Sequence, residues 1–536
     1  MIRHKGKKNT LLHSGRIYTQ NPSAPFYQAM VIADGKIAWL GNNSDLYAIP
    51  SDKYDILDLS GKTVLPSFCD AHMHFAFWAF SLIRLDLDGC GSYQEVLRRI
   101  KAYAKSLKRG EWLVGKGWQP IQWEKQVEPH KKDLDKIFPN NPVALLSKDE
   151  HAVWVNSKTL MLAGIYNSSA DPVGGKIARD AGGEPTGILL ANAAELVYKI
   201  MPPPGGSKGQ KAIASAQIQA HSLGITSVGS FDSIEGFAAV QKYNQEHGLK
   251  LRVSQYIRAQ QLDELLSLGI RTGFGDDRLR IIGAKLYADG ALGSQSALMY
   301  KPYEGSKTDC GIAQTDKDEL KAFIKKCIKG GLNVSVHAIG DKANSNALEA
   351  IIESSPKRAR GFRHRIEHCQ LLRKKDVPLF AEHGIIASVQ PCHILSDIDL
   401  IEKYWGKRGR YAYAFNSLRK SGAALAFGSD APIEKPDPIW NIYCAVTRRE
   451  PGALKPFYPV ESIPVAAAIR AHTWGGAYAL GAEDKFGSIT IGNYADIVIL
   501  DKDLHIVDPM DIAAVKIVAT LFEGEFVYGK DSFDSW

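Results

Sequence analysis

Eight short apolar runs recur through the middle of this 536-residue chain, and they constrain its fold more than any other feature. They are "VLPSFCDAH" (64–72), "ITSVGSFD" (225–232), "LRVSQYI" (251–257), "LRIIGAKLYADG" (279–290), "LNVSVHAIGD" (332–341), "RHRIEHCQ" (363–370), "IIASVQP" (385–391) and "ALAFGSDAP" (424–432). Helix-like stretches such as "DKDELKAFIKKCIKGG" and "KANSNALEAIIESS" lie between most of them. This alternation predicts parallel βαβ units, an α/β fold. Eight strands is the number that closes a (β/α)8 TIM-like barrel.

The two ends read differently. Residues 1–63 and 485–536 are short strands broken by turns such as Asp34-Gly35 and Gly492-Asn493. We expect them to build one small β-sandwich domain around a barrel spanning 64–484. The stretch from about 91 to 222 is too long for one connection. It carries its own helix ("SYQEVLRRIKAYAKSLK") and strands ("EWLVGKGW", "NPVALLS"), so it reads as a large insertion after the first barrel strand. Its tryptophans, Trp112, Trp118, Trp123 and Trp154, either fill its own core or wall a substrate pocket. "MPPPGGSKG" (201–209) reads as a connector.

Chemistry in a parallel barrel gathers at the carboxyl ends of the strands. Strand one ends in "FCDAHMHF", and residues two apart on a strand face the same way, so His72 and His74 can aim at one point. The pair alone is weak, since the composition predicts about 0.4 His-x-His pairs by chance. Metal-competent residues also close other strands: Lys285 and then Asp289 on four, His337 on five, His368 on six and Asp430 on eight. Each has an ordinary alternative, as a core histidine, a rim hydrogen-bonder or a helix N-cap. Their joint placement on five strands of one rim is harder to explain by packing. Imidazoles with a carboxylate suit Zn²⁺, with Fe, Mn, Co or Ni also able to fit. A protonated Lys285 would repel a metal, so it either neutralises a carboxylate such as Asp289 or is carboxylated by CO₂ into an anionic ligand.

Bulk composition excludes little. Hydrophobic content of 45%, charged content of 23% and a net charge of +8 are those of an ordinary globular chain. No basic-aromatic stripe argues for nucleic acid, and no apolar run reaches membrane-span length. The seven scattered cysteines form no CxxC pair, which fits a reducing, cytoplasmic setting. A homodimer is compatible with the sequence.

The segments "LPSFCDAHMH", "KLYADGALGS", "VHAIGD", "RIEHCQ", "SVQPCHILSD", "FGSDAPIEKPDP" and "GSITIGNYADIVILD" resemble the amidohydrolase superfamily. Within it they are most similar to the branch of large YtcJ-like hydrolases that includes N-substituted formamide deformylases. The resemblance spans about residues 10–530. It implies that His72, His74, His337, His368 and Asp430 hold one or two divalent ions, with Lys285 as a carboxylated bridge.

That reading assigns a reaction. A bound divalent metal activates water and polarises a carbonyl. Asp430 serves as general acid–base group, and His337 helps to polarise the carbonyl. The expected activity is hydrolysis of a C–N bond in a small acyl or formyl amide with an apolar N-substituent. Substrate-facing residues are expected among His151, Asn156, Phe75, Trp78, His393 and Trp440, with Asp397 near His393. Hydrolysis of a cyclic amide, an amidine (deamination) or an ester would need the same metal core. A reading of another class is a non-catalytic scaffold of the same fold; retention of every ligand position argues against it. The nucleic-acid deaminase signature H-x-E…P-C-x-x-C is absent from the chain.

Overall fold

The computed structural model describes residues 9–533, apart from 51–52, 106, 121–122, 126, 149–151, 173–174, 192, 203–205 and 356–360. The eight runs form one parallel sheet. Its strands are β1 (Phe68–Met73), β2 (Ile225–Ser230), β3 (Arg252–Arg258), β4 (Leu279–Tyr287), β5 (Asn333–Ala338), β6 (Arg365–His368), β7 (Ile386–Val389) and β8 (Leu425–Phe427). They pair in chain order. The seam between β8 and β1 is joined just past the strands, where Asp430 N donates to His72 O at 2.7 Å and His74 N to Ala431 O at 2.8 Å. Gly428 is what lets the two segments come this close. A Cβ there would sit 2.5 Å from His72 N and 2.9 Å from His72 Cα. The result is a nearly closed eight-stranded barrel.

The run at 64–72 does not stay in one sheet. Thr63–Pro66 pairs with Arg16–Tyr18 and Ile497–Leu500, while Phe68–Met73 enters the barrel. The single apolar run therefore spans two sheets, with Ser67 between them. Thr63–Pro66 belongs to a six-stranded sheet built from both ends of the chain, beside a four-stranded sheet from the N-terminal segment. Leu12, Ile17, Met30, Val64, Ile497 and Leu521 share one core between them. That is the packed two-layer sandwich expected of sheets apolar on one face. Barrel and sandwich are tied by Arg252 at the start of β3. Its buried guanidinium pairs with Asp496 and Glu523 and lies 4.0 Å from the centre of the Tyr494 ring.

Residues 79–212 form one compact unit, and 1–78 with 213–536 the other. The smaller unit carries a mixed six-stranded sheet that includes Leu113–Trp118 and Val143–Ser147. Trp118, Trp123 and Trp154 are buried in its own core, and Trp112 packs against a second cluster there. The segment read as a connector runs into a helix at Gly206–Ser222. Among the described residues no helix is long and apolar enough to cross a membrane.

Candidate metal centre

The rim is assembled by short, specific contacts. After β1 the chain turns into the helix Phe75–Ser81, and Asp232, just past β2, accepts from the backbone N–H groups of Ala76 and Phe77. This carboxylate at a helix N-terminus satisfies otherwise orphaned donors and fixes the turn that carries His74. Asp70 accepts from Ser429 Oγ, Ser429 N and His72 N, which locks the β8 turn onto β1. Burial raises the Asp70 carboxyl to about 7, against the pull of the Ser429 hydrogen bonds. Two residues at the rim adopt left-handed backbone: His368 with φ +71° and Asp430 with φ +60°. Such strain in non-glycine residues, of order 1–3 kcal/mol each, persists where the surroundings demand that direction.

The side chains converge. His72 Nδ1–H donates to Glu367 Oε2 at 2.6 Å, and His74 Nδ1–H donates to the Phe231 carbonyl at 3.2 Å. In the neutral tautomer with Nδ1–H, each ring turns a bare Nε2 lone pair forward. Those atoms lie 3.3 and 3.4 Å from Asp430 Oδ1. Two lone pairs and a carboxylate oxygen repel one another unless a cation lies among them. Ligand atoms around tetrahedral Zn²⁺, with bonds of about 2.0–2.1 Å, stand about 3.3–3.4 Å apart. His72, His74 and Asp430 thus have the spacing of a metal seat, and His368, His393 and Asp430 form a second, wider group, with ligand atoms within 4.8 Å of one another. His368 Nδ1 and His393 Nε2 are buried with no hydrogen-bond partner. Orphaned buried nitrogens of this kind fit a metal ion.

Electrostatics agree. Burial would raise the Asp430 carboxyl, but charge on His72 and hydrogen bonds from His72 and His74, as those rings supply when protonated, hold the group well below the usual range; a cation in the seat would do the same for neutral rings. Burial and the neighbouring His337 keep His368 neutral.

Residues 55–528 match the Amidohydrolase family. The chain belongs to the amidohydrolase family. It is 33% identical to the amidohydrolase-family protein YtcJ of Bacillus subtilis, over 97% of this chain and 99% of that one. It is 26% identical to the N-substituted formamide deformylase of Arthrobacter pascens, over 94% and 95% of the two chains. A crystal structure of an uncharacterized metal-dependent hydrolase from Pyrococcus furiosus superposes with a TM-score of 0.79 at 32% identity, covering 93% of this chain and all of that one.

In this amidohydrolase-family chain, His72, His74, His368 and Asp430 come together as the spacing predicts. His337 stands beside them, its ring 4.5 Å from that of His368. Its Nε2–H donates to the Gly290 carbonyl at 3.0 Å. Burial and the nearby Lys285 hold its pKa down to about 3, so the ring is neutral. A neutral imidazole has a single N–H, and here it is spent. His337 therefore has no hydrogen left to polarise a carbonyl, and only Nδ1 is left as a ligand atom.

Lys285 is fully inside the barrel, its Nζ 4.4 Å from the centre of the Phe231 ring and without a hydrogen-bond partner. It does not neutralise Asp289. That carboxylate instead accepts from the backbone N–H groups of Leu298, Ile339 and Gly340. Burial lowers the lysine to about 8, while the charges of Glu367 and Asp430 pull the other way.

The expected substrate contacts fare less well. Asn156 is fully buried inside the smaller unit. Its oxygen accepts from Val143 N and Thr159 N, and its amide donates to the Phe138 and Asn141 carbonyls. It caps the helix Ser157–Leu162 and has no group to spare for a substrate. Phe75 is also completely buried and packs beside Trp78, itself 4% exposed, so neither presents an open wall. Trp440 is half-buried, stacked on Tyr443 in the helix Pro438–Thr447 that follows β8. His151 lies outside the described residues. His393 reaches the centre itself, its Nε2 4.0 Å from Asp430 Oδ2.

Three residues escaped the sequence reading. Glu367 holds His72, and also accepts from Ser335 Oγ at 2.6 Å and from Arg365 Nε. Burial works against its ionisation, but Arg365 and His72 keep it well below the usual carboxylate range. Phe231 stacks on Tyr256, lies 4.2 Å from the His72 ring and offers its carbonyl to His74. Asp70 holds the seam. The "DAH" and "IEH" triplets put the two acids beside the histidines in sequence, but nothing local gave them roles.

Proposed function

We propose that this protein is a metal-dependent hydrolase that cleaves the C–N bond of a small acyl or formyl amide carrying an apolar N-substituent. The observation that carries the reading is the approach of two imidazole Nε2 atoms to one carboxylate oxygen at 3.3 and 3.4 Å. His72, His74, His368 and Asp430 would hold one or two ions, with His337 joining through Nδ1. A divalent ion such as Zn²⁺ supplies Lewis acidity, polarising the carbonyl and lowering the pKa of water from 15.7 to about 7.

The chain's own residues do the rest. Asp430 accepts a proton as water oxygen bonds to the carbonyl carbon, and returns it to the nitrogen as the C–N bond breaks, giving a carboxylic acid and an amine. Glu367 and the Phe231 carbonyl hold the two rings of β1 in the tautomer that leaves Nε2 free. Lys285, without a hydrogen-bond partner and with a lowered pKa, suits attack of its neutral amine on CO₂, with release of one proton, to give an anionic carbamate that would add a further ligand. The deformylase relative supports the amide class, and the Pyrococcus structure supports metal dependence.

The test is a screen of N-substituted formamides and N-acyl amines with Zn²⁺-loaded protein, with and without bicarbonate, against chelator-treated protein. Release of amine that stops on chelation and returns with Zn²⁺ is expected. Turnover indifferent to chelation would refute the reading.

A further inference from the structure

We propose that His393 is a metal ligand, completing with His368 and Asp430 a second cation seat beside the one at His72 and His74. The inference rests on the metal-centre reading above and deepens it. His393 is the first residue of the helix His393–Tyr404 that follows β7. The turn before it is pinned, because Cys392 N donates to the buried Asn441 side chain at 2.9 Å. The ring is 92% withdrawn from solvent, counted over the residue, and lies face to face with His368 at 6.2 Å and 19°.

Two facts turn this from a histidine near a site into a ligand of it. First, His393 Nε2 and His368 Nδ1 are both buried polar atoms with no hydrogen-bond partner. Leaving one such group unsatisfied is destabilising by about 1–3 kcal/mol. Each ring has a nitrogen within 4.8 Å of the Asp430 carboxylate, and the two orphaned nitrogens imply an occupant that takes lone pairs. Second, Asp430 divides its oxygens. Oδ1 faces His72 and His74, whereas Oδ2 is the atom 4.0 Å from His393 Nε2. At 4.0 Å this pair stands wider than the roughly 3.3–3.4 Å between ligands on tetrahedral Zn²⁺, so sharing one ion asks the two side chains to close by about 0.6 Å. The carboxylate is then the natural link between two seats.

The experiment measures Zn²⁺ stoichiometry and affinity by chelator competition and elemental analysis in wild type, H393Q and H393F, with circular dichroism to check folding. The phenylalanine variant keeps the ring's bulk and removes only its nitrogens. Expected is the loss of one ion per chain, or at least tenfold weaker binding of one ion, in both variants, with the other ion kept. X-ray absorption on the wild type gives a readout without mutation: the proposal requires two imidazole nitrogens on the second ion. Wild type that binds Zn²⁺, with both variants matching it in content and affinity, overturns this inference alone. Wild type that binds no Zn²⁺ overturns the metal-centre reading with it.

Discussion

Glu367 is the residue whose replacement reports most about how the centre is built. It is fully buried and ionised, accepting from His72, Ser335 and Arg365 at once. Glu367→Gln keeps the shape and removes the charge. Two separable effects follow. Arg365, itself fully buried, loses its counter-charge, and breaking a buried ion pair is destabilising by about 3–5 kcal/mol. His72 loses the carboxylate that fixes its tautomer, and removing such a partner weakens metal binding by about 10–100-fold, or about 1.4–2.7 kcal/mol. The assay pairs thermal unfolding of metal-free protein with chelator competition for Zn²⁺. A double variant, Arg365→Met with Glu367→Gln, removes the stranded cation. It should regain part of the stability, only part because Arg365 also donates to the Ala71 carbonyl, yet stay weak in metal binding. Zn²⁺ affinity in Glu367→Gln within twofold of wild type would refute the orienting role. Full recovery of affinity in the double variant would reduce Glu367 to a counter-ion for Arg365.

Other substitutions separate chemistry from scaffold. Asp430→Asn should retain much of the metal but lose most turnover, by 10²-fold or more for a lost acid–base group; full activity at full metal content would overturn its role. Asn156→Ala strips five hydrogen bonds from the smaller unit and should lower stability by about 1–3 kcal/mol while leaving kcat/KM unchanged. A raised KM with an unchanged melting temperature would return Asn156 to the substrate. Arg252→Met strands the buried Asp496, while Glu523 keeps Arg278 at 2.7 Å, and should destabilise the barrel–sandwich junction by about 3–5 kcal/mol in urea unfolding; a loss under 1 kcal/mol would show that the pair is not needed.

Most of the barrel was legible because strand period and helical spacing are local signals, and all eight runs became strands. The break at Ser67 was not, because both halves of "VLPSFCDAH" are apolar and only their distant partners, Ile497–Leu500 and β2, decide which sheet each joins. The same limit explains the site. His72, His74, His368 and Asp430 could be placed from their positions at strand ends. Glu367, Phe231 and Asp70 act through contacts made across the barrel, which sequence spacing does not encode. Phe75 and Asn156 failed for a complementary reason: nearness to a motif or polarity says nothing of where a side chain points. Phe75 starts a helix held by Asp232 and turns into the core. His393 was placed at the rim, but its alignment on Asp430 depends on a pinned turn two strands from β1.

The central claim is that these side chains seat a metal, and crystals grown with Zn²⁺ and measured by anomalous scattering test it most directly. The account predicts a peak within about 2.0–2.2 Å of His72 Nε2, His74 Nε2 and the Asp430 carboxylate. Strong diffraction with no anomalous peak among those three residues would contradict it.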